Sequence, residues 1–145
     1  SVTATLASGA YYVRVENNDG NAGRSTNAII TASTAPTWTT SAGSLGTVAG
    51  NFSGTVATVA ATSDSAITYS EVSSPAVLIG SGSGQANCAL NSSTGAITTT
   101  DFGGSSTAAT LYTFTLRATD AEGQTADRVF TLQSSFGATG GGQFN

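Results

Sequence analysis

Two carboxylates separated by a single residue, Asp120 and Glu122, are the side chains of this sequence best placed for acid–base chemistry. Paired carboxylates can serve as proton donor and as base or nucleophile in the hydrolysis of a glycosidic bond. Two further acids, Asp64 and Asp101, could approach them from other loops. Hydrolysis of a carbohydrate by Asp120 with Glu122 is therefore one hypothesis that the sequence leaves open.

Other catalytic arrangements lack their residues. The chain has no histidine, which removes the commonest general base and metal ligand and the Ser-His-Asp and Cys-His arrangements. The single cysteine, Cys88, has no second cysteine to form an internal disulfide. Next to Ala89 and Leu90 it is expected to be a small buried side chain. Since acidic residues in exposed turns are normally only solvated, we expect no enzymatic activity.

The charge of the chain excludes two classes of partner. The net charge is -4 at pH 7, and the 4 basic residues are all arginines. Such a surface has no basic patch to neutralise phosphates, so we expect neither nucleic-acid binding nor attraction to an anionic membrane. No apolar run approaches the roughly 20 residues that cross a bilayer, so we expect no membrane insertion.

Composition predicts an all-β chain. The sequence has 18 glycines, 8% charged residues and no methionine, a balance typical of many short strands and turns. No window shows apolar residues recurring at helical spacing over three turns. We therefore expect almost no helix.

A stretch that occurs twice predicts the domain organisation. Residues 11–19 read YYVRVENND, and 101 positions later residues 112–120 read YTFTLRATD. A spacing of about 100 residues is the length of one immunoglobulin-like sandwich. We predict that residues 1–34 are the last strands of a preceding β domain, that residues 35–135 form a complete β-sandwich, and that residues 136–145 are a glycine-rich linker.

Alternation and turn residues place the strands. In the first part, residues 11–15 and 28–31 are expected to pair across a loop at residues 17–23. In the second part, the predicted strands are 37–40, 55–61, 67–71, 76–79, 88–90, 96–99, 111–118 and 126–132.

The last predicted hairpin should supply much of the core. Period-two alternation puts one set of side chains on the buried face: Tyr112, Phe114, Leu116 and Ala118. Phe130 and Leu132 should meet them across the hairpin, and Trp38 is expected to plug the same core. Tyr112 also has the form of a tyrosine corner, in which a tyrosine hydroxyl is anchored to nearby backbone.

Two segments carry a family resemblance: residues 90–98, LNSSTGAIT, and residues 116–132, LRATDAEGQTADRVFTL. They resemble the Leu-x-x-x-Thr-Gly-x-Ile hairpin and the Ala-x-Asp-x-x-Gly closing hairpin of cadherin-like and immunoglobulin-like repeats in bacterial surface proteins and phage virion proteins. The resemblance covers residues 36–132 and implies a cadherin-like sandwich. Residues 9–17, GAYYVRVEN, are similar to the end of IPT-like or immunoglobulin-like modules in the same kinds of protein.

The resemblance also bears on calcium. Cadherin-like domains place carboxylates at domain junctions, and Asp120-Ala121-Glu122 occupies the position of their Asp-x-Asp ligand motif. Ca²⁺ needs about six to eight oxygen ligands. The sequence lacks two segments that supply such ligands in the family, the acidic linker and the interior Asp-Arg-Glu segment. We therefore expect no cofactor, and Asp120 and Glu122 are the calcium candidates if an ion is bound.

The resemblance and the repeat lead to one functional prediction and one alternative. The prediction is a non-catalytic structural or adhesive module of a phage virion protein, in a tail, a fibre or a capsid decoration, which acts as a spacer and a surface-binding unit. The alternative is a secreted bacterial adhesin or surface-filament module that binds glycans or neighbouring subunits. The predicted location is the virion or, in the alternative, the extracellular cell surface.

The predicted partners are other virion subunits, or a glycan or protein of a cell surface, with a homo-oligomer formed through an exposed strand edge as a further option. Partner contacts are expected in loops at one end of a sandwich. The candidate residues are Asn17, Asn18, Asp19, Asp120, Glu122 and Gln124.

Overall fold

The computed structural model describes residues 10–11, 14–16, 22–24, 30–31, 34–105 and 109–135, with side-chain surroundings for 34–104 and 109–135. The chain divides into two compact units, Ser1–Thr34 and Ala35–Asn145. In the described ranges the one helical element is a short 3₁₀ segment, Phe102–Ser105. The all-β prediction is confirmed for these ranges, none of which contains a helix long and apolar enough to cross a membrane.

In the part of the first unit that the structure describes, the strands form two antiparallel pairs. Strand β1 (Ala10–Tyr11) pairs with β4 (Ile30–Thr31), and β2 (Arg14–Glu16) pairs with β3 (Ala22–Arg24). The predicted pairing of residues 11–15 with 28–31 is confirmed only where Tyr11 lies opposite Ile30. It is wrong for residues 14 and 15, which pair with residues 24 and 23. The prediction that all of residues 17–23 form a loop is wrong, because Ala22 and Gly23 lie in β3. Glycine tolerates turn conformations without requiring them, so a residue such as Gly23 can also lie in a strand.

The described residues of the second unit form nine strands. Their bounds are β5 Thr37–Trp38, β6 Gly43–Ala49, β7 Gly54–Thr58, β8 Ala61–Thr62, β9 Thr68–Glu71, β10 Cys88–Leu90, β11 Ala96–Thr99, β12 Thr110–Thr119 and β13 Thr125–Ser135.

These strands form the sheets of a sandwich. One sheet has the order β6-β13-β12-β9 and the other β10-β11-β7, while β5 pairs with β8. All pairings are antiparallel except that of β6 with β13. Thr37 at the start of β5 pairs with Thr62, beside the β8–β9 loop. At the other end of the sandwich, Ser135 at the end of β13 pairs with Ala49, so β5 begins and β13 ends at opposite ends.

The predicted core is confirmed. On β12 every second side chain is buried, and Phe114 pairs with Phe130 and Tyr112 with Leu132 across the hairpin. Trp38 is 6% exposed, and its ring packs edge-on against Phe130 at a centroid distance of 5.2 Å. Such packing buries large apolar surfaces, which is the main favourable term in folding.

Strand prediction fails where tertiary contacts decide. Strand β6 was missed, because its glycines Gly43 and Gly46 weaken the strand pattern and have φ angles of 100° and 131°. The predicted strand 55–61 is interrupted at Val59, where the chain changes partner from β11 to β5. The predicted strand 76–79 is wrong, since in that segment the structure has only one isolated bridge, between Ile79 and Cys88.

A different tyrosine from the predicted one is anchored to backbone. The Tyr69 hydroxyl accepts a hydrogen bond from the N–H of Ala61 at 3.0 Å. The Tyr112 ring instead packs edge-on against Phe102 at 5.7 Å, and its hydroxyl would lie 3.1 Å from a Cβ added at Gly103. Tyr112 therefore contributes chiefly through packing.

Candidate functional site

Three carboxylates meet at one end of the second unit. One oxygen each from Asp64, Asp120 and Glu122 lies within 4.8 Å of the other two. Asp64 follows β8, whereas Asp120 and Glu122 lie in the turn between β12 and β13. The pairing of Thr68 with Thr119 brings the β8–β9 loop beside that turn. We call these three residues the acidic cluster.

Local backbone chemistry fixes Asp120 in its turn. The Gly123 N–H donates to the Asp120 carbonyl oxygen at 3.1 Å, and Asp120 Oδ1 accepts the Gln124 N–H at 2.7 Å. Gly123 has a φ of 87°, which glycine adopts without steric cost. An aspartate that begins the turn and a glycine three residues later therefore suffice to hold this carboxylate.

The second oxygen of Asp120, Oδ2, is buried without a hydrogen-bond partner, in a residue that is only 4% exposed. Burying an ionised oxygen without a donor or a positive charge is costly. The two arginines of the second unit are engaged elsewhere: Arg117 pairs with Asp127 at 2.7 Å, and Arg128 donates to the Thr40 carbonyl oxygen. Asp120 Oδ2 therefore has no compensating donor or positive charge among the contacts described.

The two exposed carboxylates are contacted by serines of the β8–β9 loop. The Ser65 hydroxyl donates to Glu122 Oε2 and accepts the N–H of Ala121 at 3.1 Å. The Ser63 hydroxyl donates to Asp64 Oδ1 at 3.1 Å. The loop and the turn are thus joined by side-chain hydrogen bonds as well as by strand pairing.

The acidic cluster fits a hard divalent cation. Ca²⁺ prefers carboxylate and other oxygen ligands and takes about six to eight of them, some from water. Three carboxylates within 4.8 Å of one another repel unless a positive charge lies between them. The buried, unsatisfied Asp120 Oδ2 is the clearest sign of such a fit.

The structure brings together three of the four acids that the sequence singled out. Asp120 and Glu122, the calcium candidates, are joined by Asp64, which the sequence named only as a catalytic partner. Asp101 lies near the opposite end, where the carbonyl oxygen of the next residue accepts the N–H of Asn51 at 3.0 Å. Ser65 was missed because a loop serine carries no signal of a partner 57 positions away.

The loop residues predicted to contact partners fall into two groups. Asp120 and Glu122 belong to the acidic cluster, and Gln124 supplies backbone groups to its turn. Three of the predicted residues lie outside the described residues: Asn17, Asn18 and Asp19.

Three cavities of the described region lie away from the acidic cluster. Their volumes are about 430, 300 and 260 Å³. The largest is lined by the glycine-rich segment 81–85 and Tyr112, the second includes Cys88, and the third includes Phe52. None of these three cavities is lined by Asp64, Asp120 or Glu122, so none provides a cleft for a substrate at the paired carboxylates.

No protein-family model and no curated protein matches this sequence. Among solved structures, protocadherin gammaB7 EC3-6 matches with a TM-score of 0.57 and 15% identity, over 86% of this chain and 32% of that one. Drosophila N-cadherin EC1-4 matches with 0.53 and 15%, over 86% and 32%. The human desmocollin-1 ectodomain matches with 0.53 and 19%, over 70% and 20%.

This chain therefore spans between 20% and 32% of the length of these three structures. At such low identity the likeness shows the fold alone. The predicted fold class is confirmed: the second unit folds as a cadherin-like β-sandwich.

Proposed function

We propose that this chain is a non-catalytic structural and adhesive module that works outside the cell or on a virion. The cadherin-like fold supports the proposal, since the matched structures include an ectodomain of human desmocollin-1. The three cavities described also support it, because none of them opens at the paired carboxylates. None of these three cavities would hold a carbohydrate for hydrolysis by Asp120 with Glu122.

The course of the chain suits a spacer. Strand β5 begins at one end of the sandwich and β13 ends at the other. Modules with that geometry can follow one another end to end along a chain. A packed sandwich resists deformation, because a close-packed interior has low compressibility.

The acidic cluster supports a cation-dependent form of this role, and the buried Asp120 Oδ2 without a partner is the observation that carries it. Asp64, Asp120 and Glu122 would hold the ion, which would supply the positive charge that the cluster lacks. Because Asp64 lies in the β8–β9 loop and the other two ligands lie in the β12–β13 turn, a bound ion would connect the two segments. It would thereby stiffen the end of the sandwich where β5 begins. Calcium is the ion that such an oxygen-rich set suits best.

Thermal unfolding of the whole chain tests the cation site. Trp38, the only tryptophan, lies in the core of the second unit and reports its unfolding by fluorescence. We expect millimolar calcium to raise the unfolding midpoint of the wild type relative to chelator, because an ion that binds only the folded state stabilises it. Asp120→Asn should abolish that rise.

Asp127→Asn is the matched control. Asp127 is an exposed acid that pairs with Arg117 on the outer face of the β12–β13 hairpin, so this variant should keep the full response to calcium. An equal calcium response in Asp120→Asn and the wild type would contradict the site.

The setting that we propose is a phage virion, as part of a tail, fibre or capsid decoration. The resemblance of residues 90–98 and 116–132 to repeats of virion proteins supports it, and a bacterial surface protein is the alternative. Mass spectrometry of purified phage particles and of cell envelopes separates the two. Peptides of this chain in particles favour the virion, whereas peptides confined to envelopes overturn it.

Adhesion is tested with beads that carry the whole chain. We expect them to bind host cells or one another in calcium and to disperse in chelator. Beads that carry Asp120→Asn should behave in calcium as wild-type beads do in chelator. If the beads bind neither host cells nor one another, with or without calcium, the adhesive role is overturned and only the spacer role stands.

A further inference from the structure

Ser65 connects two parts of the chain that are far apart in sequence. Its hydroxyl donates to Glu122, 57 positions away, and accepts the N–H of Ala121 at 3.1 Å. A serine hydroxyl has one proton to give and lone pairs to accept with. The Ser65 proton is therefore used on a carboxylate of the acidic cluster.

The three carboxylates of the cluster differ in how firmly they are held. Asp120 is buried, and its Oδ1 accepts the Gln124 N–H at 2.7 Å. Asp64 is exposed but short, whereas Glu122 is exposed and has the longest side chain of the three. A glutamate side chain at the surface of a turn has many rotamers, which are lost when it binds an ion. Glu122 is thus the ligand that gains most from being held in advance.

The hydrogen bond from Ser65 is compatible with ion binding by Glu122. Its Oε2 accepts the Ser65 proton, and a carboxylate has further lone pairs on both oxygens. Ligating carboxylates in metal sites are commonly held in this way by neighbouring donors, whose removal typically lowers metal affinity by about 10- to 100-fold.

We propose that Ser65 is the positioning residue of the acidic cluster: it orients Glu122 for a divalent cation and acts through that carboxylate. This inference rests on the proposed cation site. The ion probed is Ca²⁺, and the role assigned to Ser65 is to prepare the ligand before the ion arrives.

A double-mutant cycle on the whole chain tests the assignment. Calcium affinity is measured by titration calorimetry for the wild type, Ser65→Ala, Glu122→Gln and the double variant. We expect Ser65→Ala to lower the affinity about tenfold, and to cause no further loss when Glu122 is already glutamine, since interacting residues are not additive. Ser65→Thr keeps the hydroxyl and should keep most of the affinity.

Ser93→Ala is the matched control, because Ser93 is an exposed serine in the β10–β11 turn. Its calcium affinity should equal that of the wild type. Additive losses in the double variant would overturn the proposal, since Ser65 would then be a ligand itself or a brace of the turn. An unchanged affinity in Ser65→Ala would overturn it as well.

A second measurement needs no ion. In chelator, NMR relaxation of the Glu122 side chain should show greater mobility in Ser65→Ala than in the wild type. Unchanged mobility would overturn the proposal. This result stands even if Glu122→Gln binds calcium too weakly for the double-mutant cycle to be measured. A wild type that binds no calcium would overturn the cation site and the role of Ser65 together. If the wild type binds calcium and Ser65→Ala binds it with the same affinity, the role of Ser65 alone would be overturned.

Discussion

Glu71 Oε1 accepts a hydrogen bond from the backbone N–H of Leu78 at 2.9 Å, and Leu78 has no exposed surface. The same oxygen accepts the N–H of Val77 at 2.7 Å, and Oε2 accepts that of Ile79 at 2.9 Å. Buried amides must be paired somewhere. One carboxylate therefore accepts the backbone hydrogen bonds that the carbonyl oxygens of a neighbouring strand would otherwise accept.

Replacing Glu71 should destabilise the second unit. In Glu71→Gln at least one of the three amides faces an NH₂ group instead of an oxygen, and the remaining bonds lose their charged acceptor. We expect the free energy of unfolding to fall by about 1.5 kcal/mol or more, measured by urea unfolding with Trp38 fluorescence.

Glu122→Gln in chelator is the comparison for that change. It removes one charge from the acidic cluster, where three carboxylates lie within 4.8 Å of one another, and the glutamine amide oxygen can still accept the Ser65 hydroxyl. Stability should therefore change by no more than about 0.5 kcal/mol. Equal losses in the two variants would contradict the role given to Glu71.

Gly95 cannot carry a side chain. It has a φ of 72°, and an added Cβ would collide with the carbonyl oxygen of Val59. We expect Gly95→Ala to lower the free energy of unfolding by about 3 kcal/mol or more, through steric overlap added to backbone strain.

Gly123→Ala separates the two effects. Gly123 has a φ of 87°, but a Cβ there would meet nothing within 4 Å. Its cost should be the strain alone, about 1–2 kcal/mol. The same denaturant titration measures both variants, and a Gly95→Ala variant no less stable than Gly123→Ala would refute the overlap.

The two faces of β12 should respond differently to the same substitution. Leu116 has no exposed surface, whereas Leu111 on the same strand is 61% exposed. Leu116→Ala should cost about 2–5 kcal/mol, because it removes buried apolar surface and leaves a cavity. Leu111→Ala should change stability by no more than about 0.5 kcal/mol. Similar costs in a urea titration would mean that the face of the strand is assigned wrongly.

Cys88 should make stability fall in alkaline solution. Burial, opposed by a hydrogen bond with Thr99, raises the pKa of this thiol from 9.0 to about 12. Above pH 9 the unfolded chain loses the proton while the folded chain keeps it, so the free energy of unfolding falls as pH rises towards 12. Cys88→Ala should show a shallower fall over the same range in urea titrations, and parallel curves would contradict the raised pKa.

Much of the fold follows from patterns within a few residues. The alternation of residues 111–118 predicts the buried face of β12, and the Thr94-Gly95 pair predicts a left-handed turn residue, which Gly95 is. The aspartate and glycine of the β12–β13 turn also act locally. Periodicity and turn chemistry are visible in sequence because the atoms that interact are neighbours in the chain.

Contacts between distant residues were decided only by the tertiary structure. Strand β6 exists because it pairs with β13, and residues 76–79 are not a strand because Glu71 occupies their amides. Asp64 joins Asp120 and Glu122 because β9 pairs with β12. The sequence by itself determined the all-β class, the core hairpin and two of the three carboxylates, and it named Asp64 and Asp101 as acids that could approach them. That Asp64 joins the cluster and that Ser65 contacts Glu122 depends on strand pairing, which no local pattern encodes.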